Sequence, residues 1–331
     1  AEPKAKFTNT RSEKMDIKVT KKWVNKIGDQ AVFTLKDAQG NIVKADGLVN
    51  PMILKVNSAD PNDPYTWTGK FSVEKYDKDG QLINYVGYMV EEEKIDGYTL
   101  ENAQGNSVAS GFTFTNTYNE KVEVKVTKIW KGGKNLRPTD VKEVTFILTA
   151  EPMAALPQGQ PLSFTLEKIE GDKWTGTVKD LPKYANNQEV KYFVAENPVP
   201  YFKTESAPNN PKQVENGEVS ITNTFDQSID YKVTITKLWK STPENFKQNV
   251  NVLLYSTDDG KSYSKEHELK YDPATKKQVL EISVPEFDND GNKLDYAVKE
   301  IGEEHGLIQI GNSQYAVAYN GLTIKIQLIL R

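Results

Sequence analysis

The stretch KVEVKVTKIW, residues 121–130, alternates as a β-strand does, with one residue out of keeping. Side chains along a strand point to opposite faces in turn, so Val122, Val124, Val126 and Trp130 share a face, and Lys128 shares it with them. The pattern places an ammonium on the apolar side. Whatever satisfies it has to come from elsewhere in the fold.

The stretch recurs. DIKVTKKW (16–23), EVKVTKIW (123–130) and KVTITKLW (232–239) align on Lys21, Lys128 and Lys237, with intervals of 107 and 109 residues. A second block recurs every 104 residues as YMVEE (88–92), YFVAE (192–196) and YAVKE (296–300). A third recurs every 107 as FTNT (7–10), FTNT (114–117) and ITNT (221–224). Such self-similarity marks a repeat architecture. Between the blocks lie short alternating runs rich in Val, Ile, Thr and aromatics, punctuated by Pro, Asp and Gly. They predict an all-β chain of three tandem antiparallel β-sandwiches of about seven strands each. The units are placed at 14–119, 120–227 and 228–331, with residues 1–13 as the tail of a preceding repeat or a linker. The joins TYNEKVEV and TFDQSIDYKV lack Gly/Ser tracts, which predicts a fairly stiff rod.

Composition narrows the function. The 331 residues exceed what one core usually serves, and the 37% hydrophobic and 27% charged content suits soluble globular modules. Lys and Arg number 42 against 46 Asp and Glu, a net charge of −4 with no basic footprint for nucleic acid. There is no cysteine, so disulfides and thiolate metal sites are excluded. No apolar run approaches the roughly 20 residues that span a bilayer. The N-terminal AEPKAKFTNT has no signal-peptide core and the C-terminus no anchor motif, so neither end assigns a location and the chain reads as a fragment of something longer.

The same parity test puts Glu92 on a face with Tyr88 and Val90, and Glu196 with Tyr192 and Val194. It puts Asn116 with Phe112, Phe114 and Tyr118, and Asn223 with Val219, Ile221 and Phe225. Units 1 and 2 therefore each direct a Lys, a Glu and an Asn inward. In EEEK (91–94) parity selects Glu92, with Glu91 the alternative if the preceding YVGY insertion shifts the register. Unpaired buried charge costs several kcal/mol, so the three groups should meet. One reading is a buried ion pair with the Asn hydrogen-bonded to it. The other is chemical. Desolvation lowers a lysine pKa and raises a glutamic acid pKa, and a neutral amine is a nucleophile. Held against the Asn carboxamide, it can form a Lys–Asn isopeptide bond while the Glu moves protons and ammonia leaves.

The Val-x-Val-x-Lys-x-Trp start, the Tyr-x-Val-x-Glu strand and the Thr-Asn-Thr end together resemble the Cna B-type domains of Gram-positive surface adhesins and pilins. The resemblance covers nearly the whole chain as three copies. It implies an inverse immunoglobulin-like sandwich and a self-catalysed bond between a first-strand Lys and a last-strand Asn, promoted by a Glu. Residue by residue it implies Lys21–Asn116 with Glu92, and Lys128–Asn223 with Glu196. It further implies an extracellular, cell-wall-attached stalk that needs no cofactor and is no enzyme beyond its own single turnover. Its partners would be neighbouring domains of the parent adhesin. The alternative is direct binding of host extracellular matrix protein or glycan by these modules, and a third, weaker one is an accessory module of a secreted enzyme.

Unit 3 departs from the pattern. Lys237 points inward with Val233, Ile235 and Trp239, and Glu300 follows Tyr296 and Val298, but an Asn at the 95-residue spacing of units 1 and 2 would fall near position 332, past Arg331. The last strand GLTIKIQLILR has no inward Asn, and Gln327 has the wrong parity, so no bond is expected here. At the other end KFTNTRSEK (6–14) copies TFTNTYNEK (113–121), which makes Asn9 either a remnant of a preceding repeat or an acceptor offered in trans to Lys237 of another molecule. DKDG (77–80) and DNDG (288–291) read as hairpin turns, since they lack the later ligands of a calcium loop. His267 and His305 read as surface residues. Trp67 and Trp174 read as core, with carbohydrate stacking the alternative.

Overall fold

The computed structural model describes residues 13–102 and 105–329; Asn9 lies outside them. Each unit opens on an eleven-residue strand, Lys14–Val24, Lys121–Lys131 or Asp230–Lys240, inside a five-stranded sheet, central in units 1 and 2 and second from the edge in unit 3. In unit 1 that strand lies between Asp63–Glu74 and the closing strand Phe112–Tyr118. In unit 2 it lies between Lys173–Pro182 and Glu218–Phe225, and in unit 3 between Val279–Pro285 and Thr323–Leu328. A smaller sheet faces each one. Its strands include the Glu-bearing segments Met89–Glu92, Lys191–Glu196 and Tyr296–Glu300.

One pairing differs from the all-antiparallel expectation. In every unit the opening and closing strands run parallel, while every other described pairing is antiparallel. Parallel neighbours need a long crossover, and here the crossover is the rest of the module. The chain consequently enters each unit at one end and leaves at the other.

Alternation makes the core. Ile17, Val19, Lys21 and Trp23 of the first opening strand are buried while Asp16, Lys18 and Lys22 are exposed, and the second and third opening strands repeat the pattern through Val124, Val126, Lys128 and through Val233, Ile235, Lys237. Trp67 and Trp174 pack edge-on against Trp23 and Trp130 at 5.1 and 5.2 Å, inside the sandwich and out of reach of a carbohydrate. His267 is half-buried beside the Tyr263 hydroxyl (3.2 Å), not fully on the surface, and His305 is exposed.

Consecutive units touch through one recurring turn. The Phe287–Asn292 turn of unit 3 meets unit 2, where the Gly133 and Asn135 amides donate to the carbonyls of Asn289 and Asp290, both at 2.9 Å, and Phe287 lies edge-on to Phe225 and Tyr201. Gly133 has φ +58°, and an added Cβ would fall 2.8 Å from the Phe225 ring, so this approach requires glycine. The corresponding Tyr184–Asn187 turn of unit 2 meets unit 1: Asn25 N donates to Asn187 Oδ1 (2.8 Å), and Tyr184 lies edge-on to Tyr118 at 5.4 Å. The first aspartate of DKDG and of DNDG is occupied by its own turn. Asp77 accepts from the amides of Asp79 and Gln81, and Asp288 from those of Asp290 and Asn292.

Candidate cross-linking centres

Each centre is assembled from three strands. The opening strand supplies the lysine, and the parallel closing strand places Asn116 beside Trp23 and Asn223 beside Trp130, two residues past each lysine. The facing sheet supplies the glutamate. In unit 1 Glu91 points out to pair with Lys36, which leaves Glu92 inward with a fully buried side chain. The YVGY insertion is absorbed before that strand. There Tyr85, not Tyr88, donates its hydroxyl to the neighbouring strand at Glu74 O, as Tyr192 does to Pro182 O and Tyr296 to Pro285 O.

In unit 1 Lys21 Nζ lies 2.9 Å from Glu92 Oε1, and Asn116 Nδ2 donates to that same oxygen at 3.2 Å. In unit 2 Lys128 Nζ donates to Glu196 Oε2 and Asn223 Nδ2 to Glu196 Oε1, each at 2.6 Å. Lys21, Lys128 and Asn223 are fully inaccessible and Asn116 is 1% exposed. Each lysine also sits over a tryptophan face, 4.4 Å from Trp23 and 4.5 Å from Trp130. Burial dominates the electrostatics. It holds Lys21 and Lys128 down at about 8 against the attraction of their glutamates, and it raises Glu92 and Glu196 despite the lysines. Both shifts move the pair toward neutral amine and neutral acid.

The carboxamide oxygens Asn116 Oδ1 and Asn223 Oδ1 are buried without a partner. A half-turn of either amide exchanges oxygen and nitrogen, and which way it points is fixed by its hydrogen-bond partners. Once the glutamate holds a proton, the half-turn presents that orphan oxygen to an acid O–H.

Unit 3 retains two of the three groups. Lys237 and Glu300 pair side chain to side chain in the core, with Lys237 Nζ 4.6 Å from the Trp239 ring. The place of the asparagine is not beyond the C-terminus: Trp239 is paired with Ile326, so Ile326 stands where Asn116 and Asn223 stand. The 95-residue rule failed because loops compensate. Lys to Glu is 71 and 68 residues in units 1 and 2, and Glu to Asn is 24 and 27, whereas unit 3 has 63 and 26. Sequence reasoning also missed Gln278, which takes the place of Trp67 and Trp174 opposite the lysine and accepts the Trp239 indole N–H at 2.7 Å. Aligning LTIKIQL on FTFTNTY would have exposed Ile326.

The family model of the Cna protein B-type domain matches residues 17–117, 124–224 and 233–325. The chain belongs to this family. Among curated proteins, the collagen adhesin of Staphylococcus aureus is 28% identical over 210 residues, which are 62% of this chain and 15% of the adhesin; the chain thus spans a small part of that relative. Among solved structures, two B repeat units of the collagen-binding protein of S. aureus are 21% identical, covering 96% of this chain and 74% of theirs, with a TM-score of 0.39. An adhesin of Mobiluncus mulieris described as containing intramolecular disulfide, isopeptide and ester cross-links is 13% identical, covering 60% of this chain and 87% of its own, with a TM-score of 0.24. All three Cna B-type units carry the buried Lys–Glu pair, and units 1 and 2 carry the carboxamide as well.

Proposed function

We propose that this chain is a stalk region of a Gram-positive cell-surface adhesin or pilus-like protein, extracellular and attached to the cell wall, whose units 1 and 2 lock themselves by Lys21–Asn116 and Lys128–Asn223 isopeptide bonds. The observation that carries the reading is the burial of Lys and Asn on one Glu, each within hydrogen-bonding reach of its carboxylate, at matching register in two units.

The proton first passes from the ammonium to the glutamate, leaving a free amine. With the amide turned, the acid donates to the carboxamide oxygen as Nζ attacks Cγ, so charge on that oxygen develops against a positioned donor. The tetrahedral intermediate carries an ammonium at Nζ. The glutamate moves one proton from it to Nδ2, the Cγ–Nδ2 bond breaks, and ammonia leaves. The glutamate then yields the proton it first took to the departing ammonia, which leaves as ammonium, so the carboxylate is restored and no oxidant or cofactor takes part.

Each bond closes a loop of 95 residues, which by analogy with a disulfide stabilises the unit by about 4 to 5 kcal/mol through the unfolded state. The kinship with a collagen adhesin supports a second reading, direct binding of matrix protein or glycan by the modules, which surface plasmon resonance against such ligands tests. For the cross-links, the intact mass of the native chain should fall short of the sequence mass by two ammonias. Glu92→Ala or Glu196→Ala should each restore one, and a native chain of unmodified mass would sink the reading.

A further inference from the structure

Unit 3 holds a lysine and a glutamate in its core with no asparagine beside them among the described residues. Lys237 is 2% exposed and Glu300 fully buried, and Glu300 Oε1 has no hydrogen-bond partner. A free carboxylate oxygen in a closed core is a vacant acceptor for an N–H donor. The backbone beside it is that of the other units: Lys237 pairs with Ile324 as Lys21 does with Phe114 and Lys128 with Ile221, and Trp239 pairs with Ile326 as Trp23 does with Asn116. Ile326 is fully inaccessible, so its side chain fills the volume that the carboxamide fills elsewhere.

Resting on the reading above, we infer that Ile326 alone withholds the cross-link from unit 3, and that Lys237 and Glu300 form a reaction centre competent toward a carboxamide at that position. An amide placed there would donate to Glu300 Oε1, the oxygen now left over. The Nζ–Cγ bond then forms, the Cγ–Nδ2 bond breaks, and Glu300 carries the proton from the new ammonium to the leaving nitrogen, which departs as ammonia.

The other inward carboxamide, Gln278, is no substitute. Its Nε2 donates to the carbonyls of Leu269 (2.6 Å) and Gln248 (3.0 Å), and its Oε1 accepts from Trp239, so it is turned away from Glu300 and held there. Native unit 3 is thereby an unlocked module in series with two locked ones.

The test is the intact mass and peptide map of the full chain. The native protein should lack two ammonias with Lys237 unlinked. Ile326→Asn should lack three, with Lys237 joined to position 326, and adding Glu300→Gln should return the count to two. A protease-resistant, folded Ile326→Asn chain that still lacks only two overturns the inference, as does a native chain lacking three with Lys237 joined to Gln278. If Ile326→Asn disturbs unit 3, the same measurement is made with Gln278→Trp added, which restores the second indole of units 1 and 2. Failure of unit 3 to fold in both variants also overturns it, because the claim is that this scaffold accepts the amide. A native chain lacking none would instead refute the cross-linking reading on which the inference rests.

Discussion

A lysine on the inward face of a strand loses its hydration, and the three units answer that loss differently. Units 1 and 2 surround it with a glutamate and a carboxamide, whereas among the described residues Lys237 has Glu300 and the Trp239 ring. An ion pair in a core gains little over well-packed apolar groups, but half of one is costly. Lys237→Met should therefore destabilise unit 3 by about 3 to 5 kcal/mol, because Glu300 is left buried alone. Replacing both, Lys237→Met with Glu300→Met, should be neutral or stabilising by about 1 to 4 kcal/mol. Urea unfolding of unit 3 measures both; an equal loss in the two variants would refute the pairing argument. The pH dependence has a definite sign. Burial holds Lys237 below its usual 10.5, so between its folded value and 10.5 the unfolded chain binds more protons. Its contribution to stability accordingly rises with pH through that window, and Lys237→Met should flatten the slope.

At the scale of strands, the ladder between opening and closing strands is where the units differ most. With Lys21–Asn116 and Lys128–Asn223 bonds in place, that parallel pair cannot separate without breaking a covalent link, while Thr323–Leu328 is held to Asp230–Lys240 by its ladder and apolar side chains alone. Amide exchange in moderate denaturant should release Thr323–Leu328 well before Phe112–Tyr118 or Glu218–Phe225, and Asn223→Ala should bring Glu218–Phe225 down to the level of unit 3. Uniform exchange across the three closing strands would contradict this. Much of this layout was legible in the sequence, since period-two alternation fixes which side chains share a face. Parity alone put Lys21, Glu92 and Asn116 inward and turned Glu91 out. What parity cannot supply is which strands become neighbours. The parallel pairing and the position opposite Trp239 depend on crossovers whose lengths vary freely, which is why counting 95 residues from Lys237 overshot Ile326. Gln278 was invisible for the same reason: between it and the lysine strand run two strands of the facing sheet, Val250–Ser256 and Ser264–Leu269, and loops of free length.

Across the whole molecule, tension enters each unit at its opening strand and leaves at its closing strand. In a locked unit 1 the load runs from Lys14 to Lys21, across the isopeptide bond, and out through Asn116 to Tyr118, so residues 22–115 bear none of it. Unit 2 is arranged alike. Unit 3 has no such shortcut, and its two strands must be sheared apart through their ladder. The aromatic turns between units, Tyr184 on Tyr118 and Phe287 on Phe225, hold the modules end to end but close no loop in the chain. Stretching a single molecule should therefore give one unfolding event, from unit 3. Its length follows from the strand span Asp230–Leu328, which at about 3.3 to 3.6 Å per residue releases roughly 300 Å once the folded length is subtracted. Asn116→Ala should add a second event of similar length, and Ile326→Asn should abolish the first. Three comparable events in the native chain would show that no unit is locked. None at all would show that unit 3 is tied by a bond its core does not offer.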